Sequence, residues 1–276
     1  MKIDYYKRNK EKMLIYVALS LITLVMFFPI IWSLSQSLKT LNLFFEYPFK
    51  FIPKPVAWRN YTEAWEFGIG KWFKNSAIIS VISTIICVLF STLTGYTFAK
   101  FEFRFKNIYF IFILATMMIP WQLVIIPLYE VLIITKLVNT YTGLILPLTL
   151  SAFGIFLMRQ FISAIPDELI QAARIDGASE IGIFFRIVIP LSGSAIATLS
   201  IFTFLGVWDE FYWPLIAGTA SAVKVLPVGL TGFVTSQTVH YHLQMAGAVV
   251  SMLPVLIIFL FLQKYIIKAF MVSGIK

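Results

Sequence analysis

The sequence predicts an all-α integral membrane protein with six transmembrane helices, and three observations predict it. Of 276 residues, 59% are apolar and only 13% are charged, about half the charged share of an ordinary soluble domain. The mean hydropathy is +0.87, and a soluble globule of this size cannot hide so much apolar surface. Asp, Glu, Lys and Arg are absent from six long runs, 13–38, 75–99, 107–129, 137–158, 187–208 and 225–263, each long enough for the roughly 20 residues a helix needs to cross a bilayer. These runs are continuously apolar rather than alternating, which argues against barrel strands. The composition also excludes a disordered chain, and with 14 Gly and 1 Cys it excludes collagen-like and disulfide-rich classes.

The elements follow in order. A basic tail, 1–12, carries Lys2, Lys7, Arg8, Lys10 and Lys12. The apolar run behind it exceeds the h-region of a signal peptide, about 7–15 residues, and no small-x-small cleavage site follows, so 13–38 reads as a retained first span. Spans two to four are 75–99, 107–129 and 137–158, and the fifth is 187–208. The last run is too long for one helix. Pro227, Gly229, Gly232, Gln237, His240 and His242 occupy its first half, which places the sixth span at 244–263, with a tail at 264–276. Six spans put both termini in the cytoplasm. Of the 22 basic residues, 14 then lie on inside segments and 8 outside, the expected bias. Most of the outside charge falls in the first outer loop, 39–74, which is also rich in aromatics and proline and reads as a folded lid at the membrane interface. Asn60-Tyr61-Thr62 in that loop is formally a glycosylation sequon.

The inside segment 159–186 is not a span. Pro166 suits the start of a helix, and Asp167 and Glu168 complement its positive end. Leu169, Ala172 and Ala173 share one face at helical spacing, and Gly177 permits a sharp turn after Asp176. A second amphipathic piece, 181–187, leads to Pro190. The result is a short helix-turn-helix along the membrane, with an apolar face that calls for a protein partner.

This segment resembles the Glu-Ala-Ala loop of ABC importer membrane subunits, in which Gly follows after three residues and Ile-x-Leu-Pro after nine more. Gln171-Ala172-Ala173, Gly177, Ile187, Ile189 and Pro190 occupy those places, with Gln171 for the Glu and Ile189 for the Leu. Gly95-Tyr96-Thr97-Phe98-Ala99-Lys100, Ile119-Pro120-Trp121-Gln122 and the stretch from Phe204 to Leu215 are similar to the carbohydrate-importing, maltose-type branch. The resemblance implies a permease in the bacterial cytoplasmic membrane that pairs with a homologous permease. It also implies a cytoplasmic coupling helix between helices four and five, docked on one of two ABC ATPase subunits, and an extracellular or periplasmic sugar-binding protein that delivers cargo. It names Leu169, Gln171, Ala172, Ala173, Asp176, Gly177, Ile187 and Pro190 as the ATPase contact. ATP and Mg would be bound by the ATPase, with no cofactor in this chain.

The chain has no phosphate-binding Gly-x-x-x-x-Gly-Lys-Ser/Thr loop. The charge-free runs also hold no carboxylate for ion coupling or membrane catalysis. Trp208, Asp209, Glu210 and Trp213 combine aromatic rings with acids, as sugar sites do, and with Trp121, Gln122 and Tyr129 they are candidates to line the translocation path. The alternative for the acids and rings is a solvated interface belt. No Lys or Arg lies within the runs, which favours a neutral cargo over a phosphate ester, although a polyol or glycerol-phosphate ester remains the alternative cargo. Ser91, Gly95 and Ala99 form a close-packing stripe, inside the bundle or against the partner permease. Cys87 reads as a buried thiol. His240 and His242 lack a neighbouring carboxylate or thiol to make a metal site, and the excess of positive charge needs no nucleic acid to explain it.

Overall fold

A computed structural model describes residues 2–235 and 239–273, with side chains described from residue 12 to 261 inside that range and at Gln263. Gln237 and the last basic residue, Lys276, lie outside the described residues. In chain order the main helices are α1 (Lys2–Ser37), α2 (Gly70–Lys100), α3 (Lys106–Thr116), α4 (Trp121–Ile134), α5 (Tyr141–Thr149, ending in a 3-10 turn), α6 (Ala152–Ser163), α7 (Asp167–Ile175), α8 (Glu180–Leu191), α9 (Gly193–Trp208), α10 (Tyr212–Ala217) and α11 (Tyr241–Ser273). Three helical stretches are long and apolar enough to cross a membrane: Lys12–Ser37, Arg59–Lys100 and Tyr241–Phe261. The pairs α3/α4, α5/α6 and α8/α9 are bent by 97°, 44° and 80°, so spans number up to six if each pair counts as one.

Several bounds differ from those read by charge. α1 continues back through the basic tail, and α11 runs past Gln263. Lys and Arg are good helix formers, so charge marks where a membrane span stops rather than where a helix does. The run 107–129 is not one straight helix. Pro120 disfavours helical backbone at the residue before it, and the chain turns at 117–120 before α4 starts. The fifth run divides as well: 187–191 belong to α8, and the straight helix begins at Gly193.

The chain forms two compact units, 1–69 with 230–253, and 70–229 with 254–276. In the first, the apolar side chains of α1 from Met13 to Phe28 are exposed to whatever surrounds the chain, as expected of a helix that is apolar all round. The segment 38–69 is a folded body. Asn60 donates from Nδ2 to Ser37 O (2.7 Å) and Lys39 O (2.8 Å), and its side chain is only 4% exposed. The sequon amide is therefore spent on internal bonds. Phe44 and Phe45 pack on Tyr241, and Phe67 on Phe233 at 4.5 Å between centroids.

In the second unit α2 is central, packed along α6 and α9. Its buried face is small and hydroxylic, with Ser76, Ser80, Ser83, Ser91 and Gly95, which lets helices approach closely. A Cβ on Gly95 would lie 2.7 Å from Met158 Cβ, and one on Gly154 would lie 2.5 Å from Ser91 Oγ. The stripe therefore packs against α6 of the same chain. Asn75 and Ser76 sit in the second turn of α2 and strap down the segment after α10. Asn75 Nδ2 donates to Ala222 O (3.0 Å) and Lys224 O (2.8 Å), and Tyr141 Oη donates to Asn75 Oδ1 (2.6 Å). Leu226 N donates to Ser76 Oγ (2.8 Å). One apolar cluster, including Ile79, Leu144 and Trp213, surrounds this end of α2. The other, including Tyr96, Met158, Ile170, Ile183 and Phe184, surrounds its far end and seats the 159–186 loop.

Candidate functional site

The loop is built by local rules and then tied to α2. Pro166 caps α7 with extended backbone, and Asp167 and Glu168 fill the first turn. The helix ends in a Schellman motif: Ala178 N donates to Ala173 O (2.9 Å) and Gly177 N to Arg174 O (3.1 Å). That motif requires left-handed backbone at the residue after the cap, and Gly177 supplies it with φ of 81°. Ser179 then caps α8, its Oγ accepting from Gly182 N at 3.1 Å.

Tertiary packing sorts the apolar residues differently from simple helical spacing. Ile170, 2% exposed, and Ile183, fully buried, point into the cluster, and Ala173 packs against it. Leu169 and Ala172 are exposed, and Ile175 and Ile181 are 86% and 72% exposed. The uncovered face is therefore Leu169, Ala172, Ile175 and Ile181, and Ala173 leaves the predicted set for the inner side. Gln171, Asp176 and Gly177 are exposed beside this face, Ile187 is half-buried on the cluster, and Pro190 is exposed near the α8/α9 bend.

Three hydrogen bonds hold the loop to the end of α2, and a further ion pair braces it internally. Lys100 Nζ donates to Ile165 O and to Asp167 Oδ1 (2.6 Å). Arg174 Nε donates to Glu180 Oε1 (2.6 Å), bridging the two loop helices across Gly177. Tyr96 Oη donates to Glu180 Oε2 (2.9 Å). The Lys100 ammonium holds the Asp167 carboxyl below its ordinary 3.8. The Arg174 hydrogen bond, with help from Tyr96 and against partial burial, holds Glu180 below 4.5. Groups with depressed folded values stabilise above their unfolded pKa, and that contribution is lost as pH falls through the folded value. Acidification below about pH 4 is expected to loosen the loop, read as faster amide hydrogen exchange over 165–183 after correction for intrinsic rates. No change in protection would refute the carboxylate clamps. Ser179 followed by Glu180 is a helix-start signal present in the sequence. The partners of Glu180 and Asp167 on α2 lie 84 and 67 residues away, beyond any local pattern.

The seven candidates for the translocation path separate. Trp121 and Glu210 come together on a cleft of about 270 Å³, with Cys87, Ser151 and Thr203, three residues that sequence spacing does not bring together. Trp208 and Trp213 lie in the interior, 2% and 0% exposed. Trp208 stacks on Phe204 at 5.7 Å, and Trp213 Nε1 donates to Leu144 O at 3.2 Å. Their rings are packed away from the cleft, although Trp213 meets Trp121 edge to face at 6.3 Å. Gln122 and Asp209 are exposed, and Tyr129 is half-buried on the cluster around Trp213. His240 and His242 meet edge to face at 6.0 Å, and among the described residues no three His, Cys, Asp or Glu side chains are grouped to hold a metal.

Residues 88–272 match the model of the binding-protein-dependent transport system inner membrane component family. The chain belongs to this family. The match takes in α7, the Gly177 turn and α8, so the loop lies within the family's own segment. The permease is 38% identical over 205 residues to an arabinooligosaccharide transport system permease of Halalkalibacterium halodurans, covering 74% of each chain. It is 36% identical to the corresponding protein of Bacillus subtilis, covering 93% of this chain and 92% of that one. A sn-glycerol-3-phosphate transport system permease of Yersinia pestis is 31% identical over 81% of the chain and 83% of its own length. The crystal structure of a bacterial ABC transporter that imports the acidic polysaccharide alginate contains a chain of the same fold, with a TM-score of 0.83 at 22% identity over 93% of this chain and 96% of that one. The permease is thus a membrane component of an ABC importer, a transport protein rather than an enzyme. ATPase and binding-protein partners follow from that class.

Proposed function

We propose that this permease forms half of the membrane path of an ATP-driven oligosaccharide importer, pairing with a homologous permease above two copies of a cytoplasmic ATPase that binds the ATP and Mg. In this reading six spans leave both termini and the loop in the cytoplasm, and a sugar-binding protein docks outside. The observation that carries it is the loop, an apolar face of Leu169, Ala172, Ile175 and Ile181 uncovered on a base that Ile170 and Ile183 anchor in the core. An element of this kind suits docking in a cleft of another protein. The difference in docking free energy between two ATPase states would move the loop, and with it α2 through Tyr96 and Lys100. The arabinooligosaccharide relatives support an oligosaccharide as cargo. No lysine or arginine lines the Trp121 cleft, which favours a neutral solute over the glycerol-phosphate ester that the 31% relative transports.

The test is reconstitution of the whole complex with its binding protein. ATPase stimulation is compared for arabinooligosaccharides, maltooligosaccharides and glycerol 3-phosphate. Stimulation by a neutral oligosaccharide is expected, and stimulation by the phosphate ester alone would overturn the reading of the cargo. The loop is tested separately by Gly177→Val. A Cβ there would meet nothing of this chain within 4 Å, so within the permease the change acts through the strain of positive φ, about 1–3 kcal/mol. Membrane insertion should be unchanged while uptake falls by about tenfold, and normal uptake would refute the role of the loop.

A further inference from the structure

The Trp121 cleft lies where two helix breaks open. Trp121 is the first residue after the α3/α4 bend, and Ser151 is the cap of α6 at the α5/α6 bend. Interrupted helices occur at membrane depth where backbone lines a cavity or is covered by protein, so two breaks meeting at one cleft point to a built site. The side chains agree with this. Trp121 Nε1 is buried without a hydrogen-bond partner among the described residues, so it is the partly exposed indole ring rather than its N–H that Trp121 offers to the cleft. Glu210 Oε1 is held by Trp213 N at 3.0 Å, which fixes the carboxylate. Glu210 forms no ion pair among the described residues. The hydroxyls of Ser151 and Thr203 complete a polar lining with no cationic group. Gly206, on the α9 wall, leaves the cleft open, since a Cβ there would meet nothing within 4 Å.

We infer that this cleft binds one neutral sugar ring of the cargo, with Glu210 accepting from ring hydroxyls and the Trp121 indole offering an apolar surface to C–H groups. The volume, about 270 Å³, lies just below the usual range of ligand pockets, which begins near 300 Å³. It suits one unit of an oligomer rather than a whole chain. A phosphate or uronate would face the Glu210 carboxylate with no cation to offset it. The inference rests on the oligosaccharide reading above and assigns this chain direct contact with the cargo.

The experiment uses the assembled complex in liposomes with labelled arabinotriose. Glu210→Gln keeps an acceptor for Trp213 N but removes the charge, and Trp121→Leu keeps an apolar side chain but removes the flat ring. Each should raise KM for uptake by about tenfold, the equivalent of about 1.4 kcal/mol, with a smaller change in kcat. Gly206→Phe places a ring in the cleft from a position where a Cβ meets nothing within 4 Å, and it should abolish uptake while the partner permease and ATPase still co-purify. Unchanged KM in both the Glu210 and Trp121 variants, with uptake retained in Gly206→Phe, overturns the subsite and leaves the importer reading standing. Loss of the partner permease from Gly206→Phe would make the cleft an interface between permeases and equally overturn it. A wild-type complex that transports only glycerol 3-phosphate removes the oligosaccharide reading and the subsite together.

Discussion

Replacing Gly95 by leucine is expected to prevent stable assembly of the second unit. Gly95 lies where α2 and α6 approach most closely. A bare Cβ would already sit 2.7 Å from Met158 Cβ, 2.8 Å from the backbone nitrogen of Arg159 and 3.0 Å from the Met158 carbonyl carbon. Two of those atoms are backbone, so no rotamer change relieves the clash, and the helices themselves must separate. Overpacking ordinarily costs about 1–3 kcal/mol, and leucine, with three carbons beyond Cβ, should lie at or above the top of that range. The penalty falls on the pair of helices that also seats Ile162, Ile170 and Ile183, so the loop should lose its base along with the bundle. The readout is the yield and detergent melting temperature of the complex, with Gly95→Ala expected between wild type and leucine. A Gly95→Leu complex of normal yield and melting temperature would show that α2 and α6 can separate at little cost.

Glu180→Ala is expected to uncouple rather than unfold. Glu180 bonds both the preceding loop helix, through Arg174, and α2, through Tyr96. Its side chain is 44% exposed, so the contribution to global stability is small. The loop would stay seated by Ile170 and Ile183, and the ATPase should still co-purify. What is lost is the polar tie between loop movement and α2. Transport is therefore expected to fall by about tenfold, within the usual span of coupling free energies, while ATP hydrolysis falls less. Glu180→Gln retains acceptor oxygen for Tyr96 or Arg174 and should be intermediate. Equal loss of hydrolysis and transport would instead place the defect in ATPase docking.

Much of this architecture was legible in the chain. The absence of charge over about 20 residues at a time reports directly on transfer into lipid, and the Pro166, Gly177 and Pro190 spacing marks a helix, a left-handed turn and a second helix through local sterics. Other features were ambiguous in the sequence for identifiable reasons. Pro120 was visible as a break, but not that the break would turn the chain through 97°. Trp208 and Trp213 had the composition of a sugar site, yet burying two large rings releases more free energy inside the chain than at a wet cleft, and the fold places them there. Trp121 shared that composition and lies on the cleft, because the start of α4 falls between the α5/α6 break and α9.

The sequence by itself determined what responds to near neighbours along the chain: residence in the membrane, the helical class, the polar segments between runs, and the turn at Gly177. The tertiary structure alone decided which side of each helix faces inward. It put Ile170 inside and Leu169 outside, matched the Gly95 stripe to α6, tied Glu180 to Tyr96, and brought Trp121, Ser151, Thr203 and Glu210 to one cleft. A helix that is apolar all round carries almost no periodic signal for its buried face, because lipid and protein interior are equally apolar. The choice is then made by steric fit and by buried polar groups finding partners scores of residues away.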